Sequence, residues 1–463
     1  MAEINHPELP ENACFPTGSL DFRNELSSSS PLQRLKSRVQ LKITVVGAGL
    51  GGLATAVALA RHGHSVTVFE QACKLGEVGA GIQIPSNSSR LLQRWGVIKH
   101  LAPFIVEPHS INLLRWKDGK LIGRTRLVPD FQRRFGAPYY VIHRAHLHGA
   151  LHQRAKDLGV NIQINSRVVE YRPEISTIIL SNGTKYKSDL VVAADGVQSV
   201  AVPIVTGTKA KTVIPTGFAA YRATVDVTKM QNDPETATLL ETPGLNFWIG
   251  HLRHAMTYPI AGGTSYNMVL SHPESSDPST WKQQDALAAM KREFKDWDPR
   301  LVKVIGMIDS TMKWPLVTGT GLSNWVHPTN KLVVLGDAAH AMLPYMSQGA
   351  GMAIEDGAAL AEVIHLVSSL QQLPECLDLW QRVRMKRTSQ MQQASLMGAY
   401  IWHVADGPEQ VARDSSMQAD IEGNPTNSSA NLWSDPVTQR WCYGYDAERE
   451  IQAEWGMLAR SRL

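Results

Sequence analysis

Three short glycine-containing segments constrain the fold of this chain more than any other feature of its sequence. They are residues 47–52 (GAGLGG), 194–196 (ADG) and 336–340 (GDAAH), and they are spread over most of the 463 residues. An apolar run directly precedes each segment, as expected of buried strands that end in a turn. We therefore predict an α/β fold in which distant strands end at one edge of the same parallel sheet.

The first segment belongs to a complete βαβ pattern. Residues 41–46 form an apolar run typical of a buried strand, and residues 53–61 have the period of a helix that stops before Gly63. Residues 65–69 alternate as a second strand. This pattern predicts two parallel strands joined by a crossover helix.

Four residues give this unit its chemistry. Gly47 permits the tight turn, Gly49 lets the backbone approach a pyrophosphate, and Gly52 lets helix and strand pack closely. The helix N-terminus offers free N–H groups and the positive end of its dipole to phosphates. Glu70 follows the second strand, where an acid accepts hydrogen bonds from ribose hydroxyls. The unit predicts dinucleotide binding but does not by itself separate FAD from NAD.

Two further apolar runs, residues 189–193 and 331–335, lead to Asp195 and Asp337. An ordinary turn would explain either aspartate alone. Together with the upstream glycine loop, they indicate two carboxylates at the C-terminal edge of a sheet, where doubly wound folds bind ligands.

In combination these motifs resemble the class A FAD-dependent aromatic hydroxylases, which have the p-hydroxybenzoate hydroxylase-like fold. Within that family the chain is most similar to the salicylate hydroxylase-like branch and its fungal biosynthetic members. The resemblance covers roughly residues 43–397. Besides the segments above, it rests on residues 81–87 (GIQIPSN), 142–147 (IHRAHL), 220–223 (AYRA), 348–357 (QGAGMAIEDG) and 441–446 (WCYGYD).

The resemblance implies a Rossmann-like FAD-binding domain interleaved with a sheet-based substrate domain, an α+β layer, and followed by C-terminal helices. We expect a disordered tail over residues 1–40 and the FAD-binding domain over 41–215 and 331–400. The substrate sheet is expected mainly over 216–330, and a C-terminal loop and helical segment over 401–463.

The resemblance also implies FAD contacts beyond Gly47, Gly49, Gly52 and Glu70. They are expected at Gly81, Arg144, Asp195, Gly196, Asp337, Gly349 and Ala350. Of these, Arg144 would lie near the pyrophosphate and ribityl groups, and Asp337 would hydrogen-bond the ribityl chain. The helix that opens near Gly349 would direct its N–H groups at the flavin pyrimidine edge, where a helix N-terminus stabilises the anionic reduced flavin.

The reaction implied by the resemblance uses NADH or NADPH as a transient co-substrate that reduces FAD, after which O₂ is captured as a flavin C4a-hydroperoxide. A phenolic ring then takes the distal oxygen, in simple, decarboxylative or dearomatising hydroxylation. Three alternatives stay open: an epoxidase or oxygenase of a non-phenolic substrate, a flavin reductase or disulfide-type oxidoreductase, and a non-catalytic FAD-binding protein. The second is disfavoured because the chain has one GxGxxG loop and no CxxC pair.

Residues 215–275 alternate as strands of a sheet that would lie over the flavin. We expect catalytic roles for Arg222, Tyr258 and His251, and pocket positions for Tyr221, Pro344 and Tyr345. Arg222 suits the pairing of a phenolate or carboxylate, because guanidinium stays charged when partly buried and binds oxyanions bidentately. A sheet-edge ion pair is the plain alternative for it. Strand alternation places His254 on the same face as Tyr258, and either residue can polarise a phenol.

The composition excludes several function classes. The net charge is only +4, from 46 Lys and Arg against 42 Asp and Glu, and no basic block indicates nucleic-acid binding. No apolar run reaches the ~18 residues of a membrane span, and no apolar secretory segment begins the chain. The cysteines lack metal-ligand spacing, which predicts free thiols, a cytoplasmic location and no metal site. They are Cys14, Cys73, Cys376 and Cys442. A homodimer is the family-level expectation for assembly.

Two long helices are predicted near the C-terminus, over residues 352–369 and 373–397, and a loose polar loop is predicted over 406–434. The second helix carries a charged stretch that we interpret as a solvated face. This stretch contains Arg382, Arg384, Lys386 and Arg387.

Overall fold

The computed structural model describes residues 36–76, 79–209, 212–423 and 427–460. Residues 1–35 of the predicted N-terminal tail lie outside the described residues. The strands are β1 (Lys42–Val46), β2 (Ser65–Phe69), β3 (Gly81–Ile84), β4 (Ser110–Arg115), β5 (Leu121–Arg126), β6 (Tyr140–His143), β7 (Asn161–Gln163), β8 (Val168–Arg172), β9 (Thr177–Leu180), β10 (Lys185–Lys187), β11 (Leu190–Ala193), β12 (Val213–Asp226), β13 (Leu245–Gly250), β14 (Arg253–Ile260), β15 (Ser265–Pro273), β16 (Met312–Gly319) and β17 (Leu332–Val334).

The α-helices connect these strands and cover the sheets. They are α1 (Leu50–Arg61), α2 (Ser86–Arg94), α3 (Ile98–Leu101), α4 (Asp130–Phe135), α5 (Arg144–Asp157), α6 (Val202–Thr206), α7 (Val227–Gln231), α8 (Pro234–Ala237), α9 (Ala286–Glu293), α10 (Pro299–Gly306), α11 (Asp337–His340), α12 (Gly349–Leu366), α13 (Leu373–Trp402), α14 (Pro408–Ser416), α15 (Gln418–Glu422), α16 (Pro436–Tyr443) and α17 (Ala447–Arg460).

A five-stranded parallel sheet forms the centre of the first layer. Its strand order is β17-β11-β1-β2-β7. The branched and apolar side chains of β1, β2 and β11 are buried almost throughout, as in sheets that helices cover on both faces. Helix α1 packs against both α5 and α12. The three glycine-containing segments thus follow three neighbouring strands, and the predicted α/β class is confirmed.

A seven-stranded sheet forms the second layer, in the order β16-β12-β15-β14-β13-β4-β5. Its strands pair antiparallel except for β13 and β4, which run parallel. The substrate sheet expected over residues 216–330 therefore also takes β4 and β5 from residues 110–126. The chain leaves the parallel sheet after β2, contributes these two strands to the second sheet, and returns through α5.

Strand alternation gives the second sheet two different faces. One face carries Phe247, Met256 and Tyr258 and joins a core shared with the C-terminal helices. The other face carries Tyr221 and Trp248 and packs under α7, α9 and α10. Because neighbouring residues of a strand point to opposite faces, adjacent positions such as 221 and 222 belong to different environments.

The C-terminal region differs from two of the predictions. Residues 406–434 contain α14 and α15, so the prediction of a loose loop is wrong there; Pro408 at the first turn of α14 favours helix initiation. The charged stretch of α13 is not one solvated face. Arg382 and Lys386 are exposed, whereas Arg384 and Arg387 are buried, because they lie one turn apart on the stripe that also holds Trp380. Among the described residues, no helix is both long and apolar enough to cross a membrane.

Candidate active site

The loop between β1 and α1 depends on glycine at two positions. Gly47 has φ +100°, a conformation that residues with a side chain rarely adopt, and a Cβ there would lie 2.4 Å from the carbonyl oxygen of Ala194. A Cβ on Gly52 would lie 1.9 Å from the carbonyl oxygen of Gly47. Around Gly49, in contrast, a Cβ would meet no atom within 4 Å. The backbone of this loop is therefore closely packed on one side and open on the other.

Glu70 lies beside this loop at the end of β2. Its carboxylate accepts hydrogen bonds from the backbone N–H groups of Ala48 and Ala72, both at 2.8 Å. These bonds fix the carboxylate next to the open side of the glycine loop. The position is the one where an acid receives ribose hydroxyls in dinucleotide-binding folds.

Two helices begin at the same place without side-chain caps. The N-cap of α1 is Gly49, which has no side chain, and that of α12 is Gln348, whose side chain accepts no hydrogen bond from its helix. An uncapped N-terminus leaves backbone N–H groups and the positive end of the helix dipole available to an anion.

One cavity of about 350 Å³ joins these loops to the second sheet. Residues from both layers line it, and most of the predicted cofactor residues are among them. On the side of the parallel sheet they include Gly49, Arg144, Gly196, Asp337, Gly349 and Ala350. Gly81 on β3 also lines the cavity and donates its backbone N–H to Asn267 on β15. On the side of the second sheet they include Arg222, Phe247, His254, Met256, Tyr258 and Val269.

The other predicted cofactor residues lie behind the lining. Gly47 and Gly52 pack inside the loop, and Glu70 is held by backbone N–H groups as described above. Asp195 accepts a hydrogen bond from the hydroxyl of Tyr171 at 3.0 Å. Burial raises the pKa of the Asp195 carboxyl, and hydrogen bonds oppose that rise.

Arginines dominate the electrostatics of the cavity. Burial lowers the pKa of Arg144, the nearby Asp337 carboxylate opposes this effect, and Arg222 adds to it. Burial also lowers the pKa of Arg222, while Tyr258 acts in the opposite direction. Both guanidinium groups still titrate far above neutral pH in proteins, so they contribute two positive charges on opposite walls.

Arg222 and Tyr258 form the polar part of the wall on the second sheet. The Nε atom of Arg222 is buried and has no hydrogen-bond partner among the described residues. Burial raises the pKa of the Tyr258 phenol, and both Arg222 and Gln83 oppose that rise. A buried donor without a partner costs free energy, which a bound acceptor would recover.

Two predicted site residues do not reach the cavity. Tyr221 faces the opposite side of the sheet from Arg222, where its ring stacks on His272 with 4.4 Å between centroids. His251 is exposed in the turn between β13 and β14. Strand alternation points Tyr221 away from the cavity. His251 lies outside the cavity because β13 ends at Gly250. Pro344 and Tyr345 do line the cavity.

Sequence reasoning missed an aromatic part of the lining. Trp402 ends α13, Trp433 precedes α16, and both line the cavity beside Phe247 and Tyr345. The indole Nε1 atoms of both tryptophans are buried without a hydrogen-bond partner among the described residues. They come from a part of the sequence that has no cofactor motif, so only the tertiary structure brings them to the site.

A buried ionic network lies behind the cofactor side. Asp356 accepts hydrogen bonds from the backbone N–H of Gly336 at 3.0 Å and from Arg384 at 2.8 Å, and it contacts His340 at 2.6 Å. Arg384 also pairs with Glu355 at 2.8 Å. The carboxylate of Asp356 thus holds the turn that presents Asp337 to the cavity.

The same network reaches the start of α12. Asn87 donates to Glu355 at 2.7 Å and to Gln348 at 2.9 Å. Gln348 in turn contacts the thiol of Cys442 at 3.0 Å. Arg387 completes the network by pairing with Glu355 at 3.2 Å. No local sequence pattern indicates this network, because Glu355 and Asp356 lie on α12 and their partners Arg384 and Arg387 lie on α13.

Comparisons with known proteins agree with this geometry. Residues 40–395 match the family model described as an FAD binding domain. The FAD-dependent monooxygenase OpS4 of Beauveria bassiana (strain ARSEF 2860) is 34% identical over 412 residues, which are 89% of this chain and 96% of that protein. The chain belongs to the FAD-dependent aromatic hydroxylases.

Two further proteins resemble this chain over about nine tenths of its length. The 3-amino-4-hydroxybenzoate 2-monooxygenase PtmB3 of Streptomyces platensis is 32% identical over 408 residues, 88% of this chain and 96% of that protein. The crystal structure of CtdE in complex with FAD and substrate 4 is 25% identical, with a TM-score of 0.76 over 91% of this chain and 99% of that chain. The hydroxylase is therefore an FAD-dependent monooxygenase, as its sequence predicted.

The residues present fit the cofactor. The open space at Gly49 and the uncapped N-terminus of α1 would hold the pyrophosphate of FAD. The uncapped N-terminus of α12 would face the flavin edge, and the fixed carboxylate of Glu70 would accept hydrogen bonds from the ribose. Within the part of the chain that the structure describes, no group of three or more His, Cys, Asp or Glu side chains can hold a metal ion.

Proposed function

We propose that this hydroxylase uses FAD, NAD(P)H and O₂ to add oxygen to a phenolic ring. The observation that carries the proposal is the single cavity that has the cofactor loops on one wall and Arg222 on the other. The bound flavin supplies electron transfer and oxygen activation, and the protein supplies binding, orientation and proton transfer.

Arg222 would bind the phenolate or carboxylate oxygen of the substrate. Its guanidinium lines the cavity, and its Nε lacks a partner among the described residues. A charge-assisted pair with an oxyanion is stronger than a neutral hydrogen bond, and its planar geometry fixes the ring orientation. Stabilised phenolate is also the better nucleophile toward an electrophilic oxygen.

Tyr258 would lie beside that oxyanion and donate a hydrogen bond to it. Its hydroxyl stays protonated at physiological pH because burial raises its pKa. Phe247, Trp402 and Trp433 would cover the ring and exclude water from the reacting atoms. The substrate class fits the name of the Streptomyces relative, which acts on an amino-hydroxybenzoate.

The test is NAD(P)H oxidation by the purified flavoprotein with a panel of compounds, with the product mass recorded. The panel contains salicylate, 3-hydroxybenzoate, 4-hydroxybenzoate, 2,4-dihydroxybenzaldehyde and the non-phenolic alkene styrene. Stimulation by a phenol, with a product that has gained one oxygen or gained one oxygen and lost CO₂, supports the proposal. Stimulation by styrene alone, with epoxide formation, contradicts it and favours the non-phenolic alternative. NADH and NADPH are compared in parallel.

A further inference from the structure

Two histidines from distant parts of the chain form a direct hydrogen bond in the cavity wall. His254 lies on β14 and His403 directly follows α13. The Nδ1 atom of His254 and the Nε2 atom of His403 are 2.8 Å apart, and the rings stack with 5.1 Å between centroids. Both side chains are buried. A hydrogen bond between two imidazoles needs one shared proton, so each ring controls the tautomer of the other.

The second nitrogen of His254 is open to the cavity. His254 lines the cavity, and no described residue hydrogen-bonds its Nε2. The Nε2 atom is not fully buried, and its exposed surface faces the cavity that His254 lines. His254 therefore has one nitrogen bonded to His403 and the other turned toward the substrate space.

The groups packed around the pair are mostly apolar or neutral. Rings of Phe247, Trp402 and Tyr345 contact His254, and the ring of Phe218 stacks on His403. The Tyr345 hydroxyl lies 3.4 Å from that of Ser271 on β15, the strand paired with β14. Arg222 and Tyr258 line the same cavity. Burial first, and then His403, lowers the pKa of His254 well below the usual value. His254 is thus neutral at pH 7 and able to accept a proton.

Backbone hydrogen bonds on both sides of the residue hold His403 in place. The N–H of His403 donates to the carbonyl of Ala399, and its own carbonyl accepts from the N–H of Leu252 at 3.2 Å. Leu252 has φ 55°, a left-handed conformation that residues with a side chain rarely adopt. The turn between β13 and β14 keeps this conformation while it is bonded to the end of α13.

We propose that His403 is a positioning residue that shares a proton with His254 and thereby keeps the Nε2 of His254 available to deprotonate the phenolic substrate. This inference rests on the proposed function. In the step, the phenol O–H bond breaks and its proton goes to Nε2 of His254. The proton on Nδ1 of His254 passes to Nε2 of His403. The electron pair stays on the phenolate oxygen, which Arg222 binds, and no oxidation or reduction occurs in this step.

The test uses the full-length flavoprotein with the panel phenol that gives the highest kcat/KM. We expect His254→Gln to lower kcat about 100-fold, as for loss of a general base. His403→Gln retains a hydrogen-bonding group next to Nδ1 but takes up no proton, so we expect kcat to fall about 10-fold with KM changed less than about 2-fold. We expect the acidic limb of its pH profile to move to higher pH, since the pKa-lowering effect of the second imidazole is gone.

The matched control is His251→Gln, which changes an exposed histidine of the same turn and should alter neither kcat nor the pH profile. The double variant His254→Gln with His403→Gln should be no slower than His254→Gln alone, because the two act as one unit. In the wild type, a proton inventory in mixed H₂O and D₂O should curve as for two protons in flight, and it should become linear in His403→Gln.

Any one of three results would overturn the role of His403 and leave the proposed function standing. They are an unchanged kcat and pH profile in His403→Gln, a kcat loss in the double variant equal to the product of the two single losses, or a linear proton inventory in the wild type. Absence of phenol-stimulated oxidation in the wild type has a different meaning. It refutes the proposed function first, before any variant is made, and the role of His403 with it.

Discussion

The two walls of the cavity are built by different means. The cofactor wall consists largely of backbone: glycine turns, two uncapped helix N-termini and carboxylates held by N–H groups. The substrate wall consists of side chains, chiefly arginine, tyrosine, histidine and tryptophan, on strands and at helix ends. Backbone surfaces tolerate little change in sequence, whereas a wall of side chains can change its specificity without any change in fold.

This difference predicts the largest effect at Gly52. A Cβ in Gly52→Ala would overlap the carbonyl oxygen of Gly47, so we expect little or no folded protein. Gly49→Ala is the matched control for folding, since its Cβ meets no protein atom. It should fold with a melting temperature near that of the wild type stripped of FAD, but purify with little flavin. The measurements are soluble yield, Tm and the flavin-to-protein absorbance ratio. Equal behaviour of the two variants would contradict the distinction.

The ionic network behind the cofactor wall should carry the next largest effect. Asp356→Asn removes one of the two buried carboxylates that pair with Arg384, and it removes the charged acceptor of the backbone N–H of Gly336. Loss of one member of a buried ion pair costs about 3–5 kcal/mol. We expect that decrease in the free energy of unfolding by urea titration, with weaker FAD retention because the turn before Asp337 loosens. Asp378→Asn, which breaks the exposed pair with Arg382, should change the stability by less than about 0.5 kcal/mol.

On the substrate wall, Arg222→Met should affect chemistry and leave the cofactor in place. Loss of the guanidinium removes the charge that stabilises the phenolate, so we expect kcat/KM to fall about 10² to 10³-fold. The visible spectrum of the bound flavin and its stoichiometry should stay as in the wild type. Loss of FAD from this variant would show that the two walls are not separable.

We expect Glu362 of α12, a helix on the cofactor side, to make the stability depend on pH. Burial raises the pKa of this carboxyl to about 7, so its neutral form is favoured in the folded state. The contribution of this carboxyl to the free energy of unfolding is therefore fully present below the unfolded pKa of about 4.5. It is lost as the pH rises through the folded pKa of about 7. Glu362→Gln keeps a partner for Gln452 and should gain about 2 kcal/mol at pH 8 but almost nothing at pH 4. A scan of Tm against pH for both proteins measures this.

The smallest effects should distinguish the two faces of the second sheet. Tyr258→Phe removes a cavity hydroxyl, and we expect about a 10-fold lower kcat/KM. Tyr221→Phe changes a tyrosine on the opposite face, against His272, and should stay within about 2-fold of the wild type. A comparable loss in both variants would mean that activity depends on the sheet as a whole rather than on its cavity face.

The same contrast explains how much could be predicted from the sequence. The fold class and the parallel sheet could be predicted from short segments of sequence. Gly47 and Gly52, for example, are required because a Cβ at either position would overlap a backbone carbonyl oxygen. Arg222 could be singled out because its residue type and strand position agree with the family pattern. The glycine requirements are written into a few adjacent residues and so can be recognised without a structure.

Other parts of the site depend on tertiary structure that no local pattern carries. His403, Trp402 and Trp433 come from the C-terminal region, and only the packing of α13 and α16 brings them to the cavity. The placement of Tyr221 was wrong because it shares a motif with Arg222 but points to the opposite face. Arg384 and Arg387 looked like a solvated stretch, since their buried partners lie on another helix.

The interleaving of the two sheets has a consequence for how such a protein can diversify. The second sheet takes β4 and β5 from residues 110–126 and its other strands from residues 213–319. A genetic crossover between residues 110 and 319 would therefore join strands of the sheet from one parent to strands from another. New specificities in this architecture are expected to arise by point substitution on the cavity face, not by exchange of a substrate module.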